Sequence, residues 1–255
     1  MSEKGKEAGI AVTAEELARI NRFAKKELRA EEVYTFAVKL CDNEVDRDFE
    51  RFDRAALEKL SELFVGRTGI FDHSWSAGGQ TARIYRAEVC REEGRTTAAG
   101  DGYCYVKAMA YMPRTEGNQE LIEEIEAGIK KEVSVGCSVR EAVCSVCGAA
   151  RGECEHVHGK RYDGRLCYTE LRGAEDAYEW SFVAVPAQRE AGVIKMYTPT
   201  DTEEGTRTSS DIIKAFSEEK EMTLSPEECA EISGCLRELA KKAEAGEAYE
   251  RELRQ

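Results

Sequence analysis

The chain has 255 residues, of which 42% are hydrophobic and 34% charged, and its formal net charge is −13. This length allows one domain with appendages, or two small ones, with a core that needs no disulfides. The acidic balance disfavours a general nucleic-acid binder, because neutralising phosphates requires a basic face. No apolar run approaches the roughly 18 residues of a membrane helix, and the N-terminus lacks a secretory apolar core. We therefore expect a cytoplasmic protein.

The first 32 residues are predicted to form a helical arm. Thr13 and Glu16 have the spacing of a capping box, and Leu17, Ile20 and Phe23 recur at helical spacing in the segment 13–30. Because few of its residues are apolar, we expect this helix to be a docking element rather than part of the core.

Alternating apolar and aromatic residues predict a strand-rich central domain over residues 33–196. Strand-like runs cover residues 33–41, 69–71, 81–90, 102–112, 132–139 and 177–185. Between them, a charged loop ends at Asp53, which is placed to cap a helix as far as Phe64, and a second helix over 118–127 ends at Gly128. Strands outnumber core helices and lack regular crossover helices, which predicts an α+β fold.

The composition changes after Lys195. Residues 198–210 are rich in Thr, Ser, Glu and Gly, which indicates a linker. Ser225 and Pro226 then form a helix start, with a serine N-cap and a proline at the first helical position. We therefore assign residues 197–255 to an acidic linker and a C-terminal helix.

Cysteine and histidine residues cluster in the segment 143–167, which we predict to be an inserted zinc knuckle. Cys144 and Cys147 place two thiolates on one turn, and Cys154 and His156 supply a second pair. Four Cys and His ligands without a carboxylate indicate a closed, structural zinc site. The choice of ligands stays open, because the nearby His158 and Cys167 could replace one of the four. A redox role for the first cysteine pair is disfavoured, because no helix N-terminus is predicted beside it.

Histidine is scarce, and this narrows the search for a catalytic base. Only His73, His156 and His158 occur, and the predicted metal site leaves His73 as the one clearly free imidazole. His73 follows the short apolar run 69–71, where a strand would meet a loop. An imidazole is the usual proton acceptor for a serine or cysteine nucleophile. On position alone, an ordinary loop histidine is the commoner explanation.

The strand 132–139 carries the candidate nucleophiles. Ser134 and Ser138 share one face of it, and Cys137 points to the other. Gly136 would let backbone N–H groups approach a reacting carbonyl closely and hold an oxyanion. A serine on an apolar strand is more often a small core residue, so this pattern alone is a weak signal.

In their order along the chain, these segments resemble the prohead (head maturation) protease family of tailed bacteriophages. The matching segments lie within residues 33–195 and are 43–52, 69–73, 132–136, 179–187 and 191–193. The resemblance implies the fold of the herpesvirus maturation proteases, a mainly antiparallel β-barrel flanked by helices. Some members of the family are similar in carrying a knuckle insertion.

The same resemblance implies a serine endopeptidase with Ser134 as nucleophile and His73 as general base, and no cofactor for catalysis. Its expected substrates and partners are the major capsid protein precursor, the scaffold, or both, inside the assembling prohead in the host cytoplasm. Herpesvirus proteases use a second histidine as the third member of the catalytic triad. No second histidine is available here unless His156 or His158 is not a metal ligand. An acid is the natural substitute. We choose Glu179, with Asp176 as the runner-up.

Two other functions stay open. The first is a non-catalytic, zinc-containing capsid assembly or scaffolding factor, against which the presence of both His73 and Ser134 argues. The second is a zinc-ribbon regulator that binds nucleic acid through basic residues near the knuckle, namely Arg140, Arg151, Lys160, Arg161 and Arg165. The acidity of the rest of the chain ranks it last. We expect no membrane partner; the cleavage site, self-cleavage and the oligomeric state stay open.

Overall fold

The computed structural model describes residues 12–194 of the chain. Its helices are α1 (Ala14–Asn21), α2 (Arg54–Leu63) and α3 (Gln119–Glu126). Its strands are β1 (Val33–Asp42), β2 (Glu50–Phe52), β3 (Gly69–Phe71), β4 (Arg83–Thr96), β5 (Gly102–Pro113), β6 (Val133–Cys144), β7 (Arg161–Tyr162), β8 (Arg165–Leu166), β9 (Thr169–Phe182) and β10 (Gly192–Ile194). The predicted linker and C-terminal helix of residues 197–255, like residues 1–11, lie outside this range.

Two four-stranded sheets organise the described residues. The first is antiparallel, in the order β10-β1-β5-β4. In the second, β6 runs antiparallel along one edge of β9, while β2 and β3 pair in parallel with the two ends of β9 at its other edge. The predicted α+β class, with mainly antiparallel sheets and few helices, is confirmed. The strands between residues 12 and 194 form no closed barrel, so the barrel itself stays a prediction.

The main core lies between the two sheets and α2. Tyr34, Phe36, Val38 and Leu40 alternate along β1 and belong to this core. Asp53 caps α2 as the sequence predicts, since its carboxylate accepts a hydrogen bond of 2.7 Å from the backbone N–H of Ala56. The buried face of α2 consists of Ala56, Leu57 and Leu60, and each fully buried leucine contributes about 2 kcal/mol. This packing fixes the second sheet, which carries the candidate site.

The first helix is shorter and more buried than expected. The capping box is present: Thr13 Oγ1 accepts from the N–H of Glu16, and Glu16 Oε2 accepts from the N–H of Thr13. The helix ends at Asn21 rather than near residue 30, because the Asn21 side chain hydrogen-bonds with both backbone groups of Leu28. Ile20 is fully buried with residues of β1, β4 and β5. The segment therefore covers one face of the first sheet instead of standing free of the core.

Two β-bulges bend the long β6–β9 pair. Gly136 pairs with Glu179 and Cys137 with Ala177, which leaves Tyr178 as the extra residue on β9; Glu175 is the second extra residue. Bulges bend a strand and redirect side chains, and they are frequent beside active sites. The first bulge lies directly before Glu179.

No helix within residues 12–194 has both the length and the apolar character that crossing a bilayer requires.

Candidate active site and metal centre

His73 lies in a tight turn directly after β3. Asp72 and His73 both have left-handed backbone conformations, with φ angles of 50° and 52°. Such angles cost roughly 1 kcal/mol or more for residues other than glycine and are often found at functional sites. Hydrogen bonds from Asp72 N–H to Phe182 O (3.0 Å) and from Ser74 N–H to Phe71 O (2.9 Å) hold the turn. The turn therefore fixes where the imidazole can point.

The imidazole of His73 is hydrogen-bonded to Glu179. His73 Nδ1 lies 2.8 Å from Glu179 Oε1, and Glu179 is only 4% exposed. Because a carboxylate can only accept in this contact, Nδ1 carries the proton and Nε2 is left able to accept one. This is the arrangement that a general base needs.

Ser134 lies on the same face of the second sheet as this pair. Ser134 on β6 pairs directly with Ser181 on β9, and directly opposed residues point their side chains to one face. Glu179 is two residues before Ser181 and therefore shares that face. No hydrogen bond joins Ser134 Oγ to His73 within residues 12–194. Contacts of this kind are often long without substrate and shorten when it binds.

The glycine after Ser134 makes room for Glu179. Gly136 is the direct cross-strand partner of Glu179, and a Cβ atom at position 136 would come closer than 3.0 Å to Glu179 Oε1. The sequence predicts a different reason for this glycine, the close approach of backbone N–H groups to a reacting carbonyl. The structure adds a steric reason on the opposite strand.

Asp176, the runner-up for the third member, has another partner. Its Oδ1 lies 2.9 Å from Arg67 Nη2, and both side chains are partly exposed. Asp176 pairs with Ser138 on β6, on the far side of both the bulge and Glu179. The structure therefore brings Glu179, and not Asp176, to His73.

Ser181 is the residue of this face that sequence reasoning missed. It is fully buried, donates a hydrogen bond of 2.6 Å to Glu179 Oε2, and accepts one of 3.1 Å from the backbone N–H of His73. A signal was present in the sequence, since the alternation of a strand puts residues 179 and 181 on one face.

A pocket of about 260 Å³ borders Ser134. Residues 133–137 of β6 line one wall of this pocket without a gap. The other walls include Asp46 and Asp48 of the loop before β2, Glu50 at the start of β2, and the segment 187–191. Burial raises the pKa of the Asp46 carboxyl. The candidate nucleophile therefore borders this pocket.

The predicted metal ligands come together at the other end of the β6–β9 pair. One ligand atom from each of Cys144, Cys147, Cys154 and His156 lies within 4.8 Å of the other three. His156 Nδ1 is buried and has no hydrogen-bond partner, which is costly unless it binds something else. A set of three thiols and one imidazole is compatible with a structural zinc ion. The structure thus brings together the four residues predicted as ligands.

The two spare ligand candidates behave differently. His158 Nε2 lies 3.1 Å from the hydroxyl of Thr169, so this histidine has a partner outside the cluster. Cys167 is fully buried, with its sulfur 4.0 Å from that of Cys144. Cys167 therefore stays the one close substitute.

The turn at Cys144 favours a thiolate. Burial raises the pKa of the Cys144 thiol, but hydrogen bonds from the backbone N–H groups of Cys147 and Val146 and from neighbouring thiols outweigh burial and lower it to about 6. Thiolate is the form that binds a metal. All eight cysteines within residues 12–194 are free thiols.

The knuckle packs against the loop that precedes β2. Arg151 forms an ion pair with Glu50, the first residue of β2. Gly159 lies against the ring of Phe49, where a Cβ atom would be 2.7 Å from Cζ. The knuckle therefore contacts the loop that also lines the pocket beside Ser134.

Comparison with known proteins supplies no relative, since no protein-family model, curated protein or solved structure matches the chain.

Proposed function

We propose that the protein is a serine endopeptidase that processes the capsid protein precursor, the scaffold, or both, during phage prohead maturation. The observation that carries the proposal is the hydrogen bond between His73 Nδ1 and Glu179 Oε1 on the face to which Ser134 points. The ordered motifs that resemble prohead proteases supply the substrate class.

In the proposed reaction, Ser134 Oγ attacks the carbonyl carbon of the scissile peptide bond, and His73 Nε2 takes the hydroxyl proton. Glu179 keeps the imidazole oriented and stabilises the imidazolium that forms. Backbone N–H groups near Gly136 would hold the oxyanion. The tetrahedral intermediate then releases the amine, which receives the proton from His73. Water then attacks the acyl-enzyme while His73 takes its proton; the bond between the carbonyl carbon and Ser134 Oγ breaks, His73 returns the proton to Ser134 Oγ, and the carboxylic acid product leaves.

The pocket beside Ser134 supports a polypeptide substrate. Residues 133–137 of β6 line it, and within residues 12–194 no other strand pairs with the outer edge of β6 between Ser134 and Glu141. Unpaired backbone groups at a sheet edge can pair with an extended peptide. An extended segment of capsid or scaffold precursor fits this requirement.

We assign the metal centre a structural role, with zinc as the ion. Its four candidate ligands are Cys and His without a carboxylate, and it lies at the far end of β6 from Ser134. The ion would fix the knuckle, and no step of the proteolytic reaction passes through it. The proposed location is the host cytoplasm, inside the assembling prohead.

The test is co-expression of the chain with the capsid precursor of its own phage, followed by intact-mass measurement. We expect clipped capsid protein with the wild type and with Ser138→Ala, and none with Ser134→Ala. Ser138 is the matched control because it lies on the same strand. Clipping by Ser134→Ala would rule out Ser134 as the nucleophile.

A non-catalytic assembly factor is the second candidate, favoured by the lack of a direct hydrogen bond between Ser134 and His73 within residues 12–194. If a folded, zinc-loaded wild type binds the capsid precursor but leaves it intact, this second function replaces the first.

A further inference from the structure

We infer that Ser181 is a positioning residue that holds His73 and Glu179 in their productive arrangement. The inference rests on the proposed function, because it concerns the proton-transfer pair of that reaction. Ser181 itself would not touch the substrate, since it is fully buried between β6 and β3.

A single hydroxyl connects both members of the pair. Ser181 Oγ donates to Glu179 Oε2 at 2.6 Å and accepts from the backbone N–H of His73 at 3.1 Å. Glu179 Oε1, the other carboxylate oxygen, is engaged with His73 Nδ1 at 2.8 Å. The side chain and the main chain of His73 are therefore fixed to the same carboxylate, one directly and one through Ser181.

Burial makes this hydroxyl costly to lose. Glu179 is 4% exposed, and a buried carboxylate oxygen without a partner costs about 1–3 kcal/mol. Removal of the hydroxyl would leave Glu179 Oε2 without a hydrogen-bond partner, and the carboxylate would rotate towards another hydrogen-bond donor. Rotation moves Oε1 as well, which breaks the contact that orients the imidazole.

The backbone of His73 also depends on the Ser181 hydroxyl. Asp72 and His73 are both left-handed, a conformation that persists only where surrounding contacts hold it. The hydrogen bond from the His73 N–H to Ser181 is one of these contacts. Without it the turn can relax, and a shift of about 1 Å at a catalytic group costs about 100-fold in rate.

Two readouts test the inference. The first is the rate at which a fluorophosphonate labels Ser134, a reaction in which an Oγ–P bond forms, fluoride leaves and His73 takes the hydroxyl proton. The second is the NMR signal of the His73 Nδ1 proton, recorded in a Ser134→Ala background. We expect Ser181→Ala to slow labelling about 10- to 100-fold and to weaken the NMR signal.

The matched control is Asn43→Ala. Asn43 is also buried and makes hydrogen bonds of 2.8 Å and 2.9 Å to the backbone of Cys104 and Gly102, away from His73. It should lose stability but keep labelling within about twofold of the wild type. Ser181→Thr retains the hydroxyl and should recover both readouts; if it does not fold, Ser181→Cys, a weaker donor, should give intermediate values.

The outcomes separate the inference from the proposed function. Wild-type labelling rate and an unchanged NMR signal in Ser181→Ala would overturn the inference, as would equal slowing by Asn43→Ala. If the wild type is not labelled at all, the proposed function fails. The NMR signal of His73 then still decides whether Ser181 holds the pair.

Discussion

Gly136 and Glu179 lie directly opposite each other on β6 and β9, and the Glu179 carboxylate occupies the space that a side chain at position 136 would need. The carboxylate passes over the glycine and reaches His73 Nδ1. The segments around Ser134 and Glu179 are therefore matched to each other sterically. This explains why a glycine stands two residues after the proposed nucleophile.

Gly136→Ala should disable the site without unfolding the protein. The added methyl group would displace Glu179 and break its contact with His73, so we expect fluorophosphonate labelling of Ser134 to fall about 100-fold. Overpacking should lower the free energy of unfolding by about 1–3 kcal/mol. Gly117→Ala is the control, because no atom lies within 4 Å of its added Cβ. Labelling of Gly136→Ala at the wild-type rate would show that Glu179 can move without consequence.

The identity of the third member can be tested by amide substitutions. Glu179→Gln should lower proteolysis by a factor of about 10⁴, because a neutral amide no longer stabilises the imidazolium and can favour the wrong tautomer. Asp176→Asn should leave proteolysis unchanged and cost less than about 1 kcal/mol, since its ion pair with Arg67 is partly exposed. The measurement is the rate of capsid-precursor cleavage by folded variants. A larger loss in Asp176→Asn than in Glu179→Gln would reverse the assignment.

The ligand set of the metal centre can be read from zinc content. We expect one zinc ion per wild-type chain in native mass spectrometry, and loss of zinc to a competing chelator in Cys154→Ser and His156→Asn. His158→Asn should keep its zinc, because His158 is engaged with Thr169. Cys90→Ser, on β4, is the control for the loss of a thiol outside the knuckle. Zinc loss from Cys167→Ser together with retention in His156→Asn would replace His156 by Cys167.

A charge network at Glu190 predicts a pH-dependent contribution to stability. Its carboxylate lies 2.8 Å from Lys39 Nζ, which is largely buried, and also binds Arg95. Hydrogen bonding from Arg95 and Lys39 outweighs burial and lowers the pKa of Glu190 from 4.5 to about 2. A depressed pKa means that the folded state binds this proton less readily than the unfolded state does. The contribution is therefore complete above pH 4.5 and is lost as the pH falls towards 2.

Glu190→Gln measures that contribution. Because Glu190 and Arg95 are partly exposed, we expect a loss of about 1 kcal/mol in the free energy of urea unfolding at neutral pH. The difference from the wild type should narrow as the pH falls below 4.5. Glu58→Gln, which breaks an exposed helix pair with Arg54, should cost less than about 0.5 kcal/mol. A difference that is constant with pH would show that the Glu190 charge is not responsible.

Local sequence patterns were sufficient to predict most of the helices and strands. The strand at residues 33–41, the Asp53 cap and the end of the second predicted helix before Gly128 follow from alternation and capping chemistry, and all are present. The first half of β9 was missed, because residues 169–176 are rich in charge and their strand conformation depends on pairing with the distant strand β6. The early end of α1 was missed for a similar reason, since Asn21 stops the helix through a contact with Leu28.

The residues of the candidate site also differ in how far local sequence patterns predict them. The metal ligands could be predicted because their chemistry is encoded by short spacings between cysteines and histidines. The sequence-based choice of Glu179 over Asp176 rested on no local geometry, since both residues are carboxylates a few positions apart on one predicted strand. The cross-strand register places Glu179 opposite Gly136 and Asp176 opposite Ser138, and only the first of these positions reaches His73; this register depends on pairing that no local signal reveals.

The position of the knuckle gives it a part in folding. Cys144 ends β6 and Thr169 begins β9, so the knuckle is the connection that closes this β-hairpin. Closing a long flexible loop costs about 2 kcal/mol more than closing a two-residue turn, and an ion bound by Cys144, Cys147, Cys154 and His156 would shorten the free loop. It would also fix the strand register, and a slip of one residue would turn Ser134 to the other face. A chain without a bound ion would therefore pair these strands less reliably, and the arrangement of Ser134, His73 and Glu179 would form later.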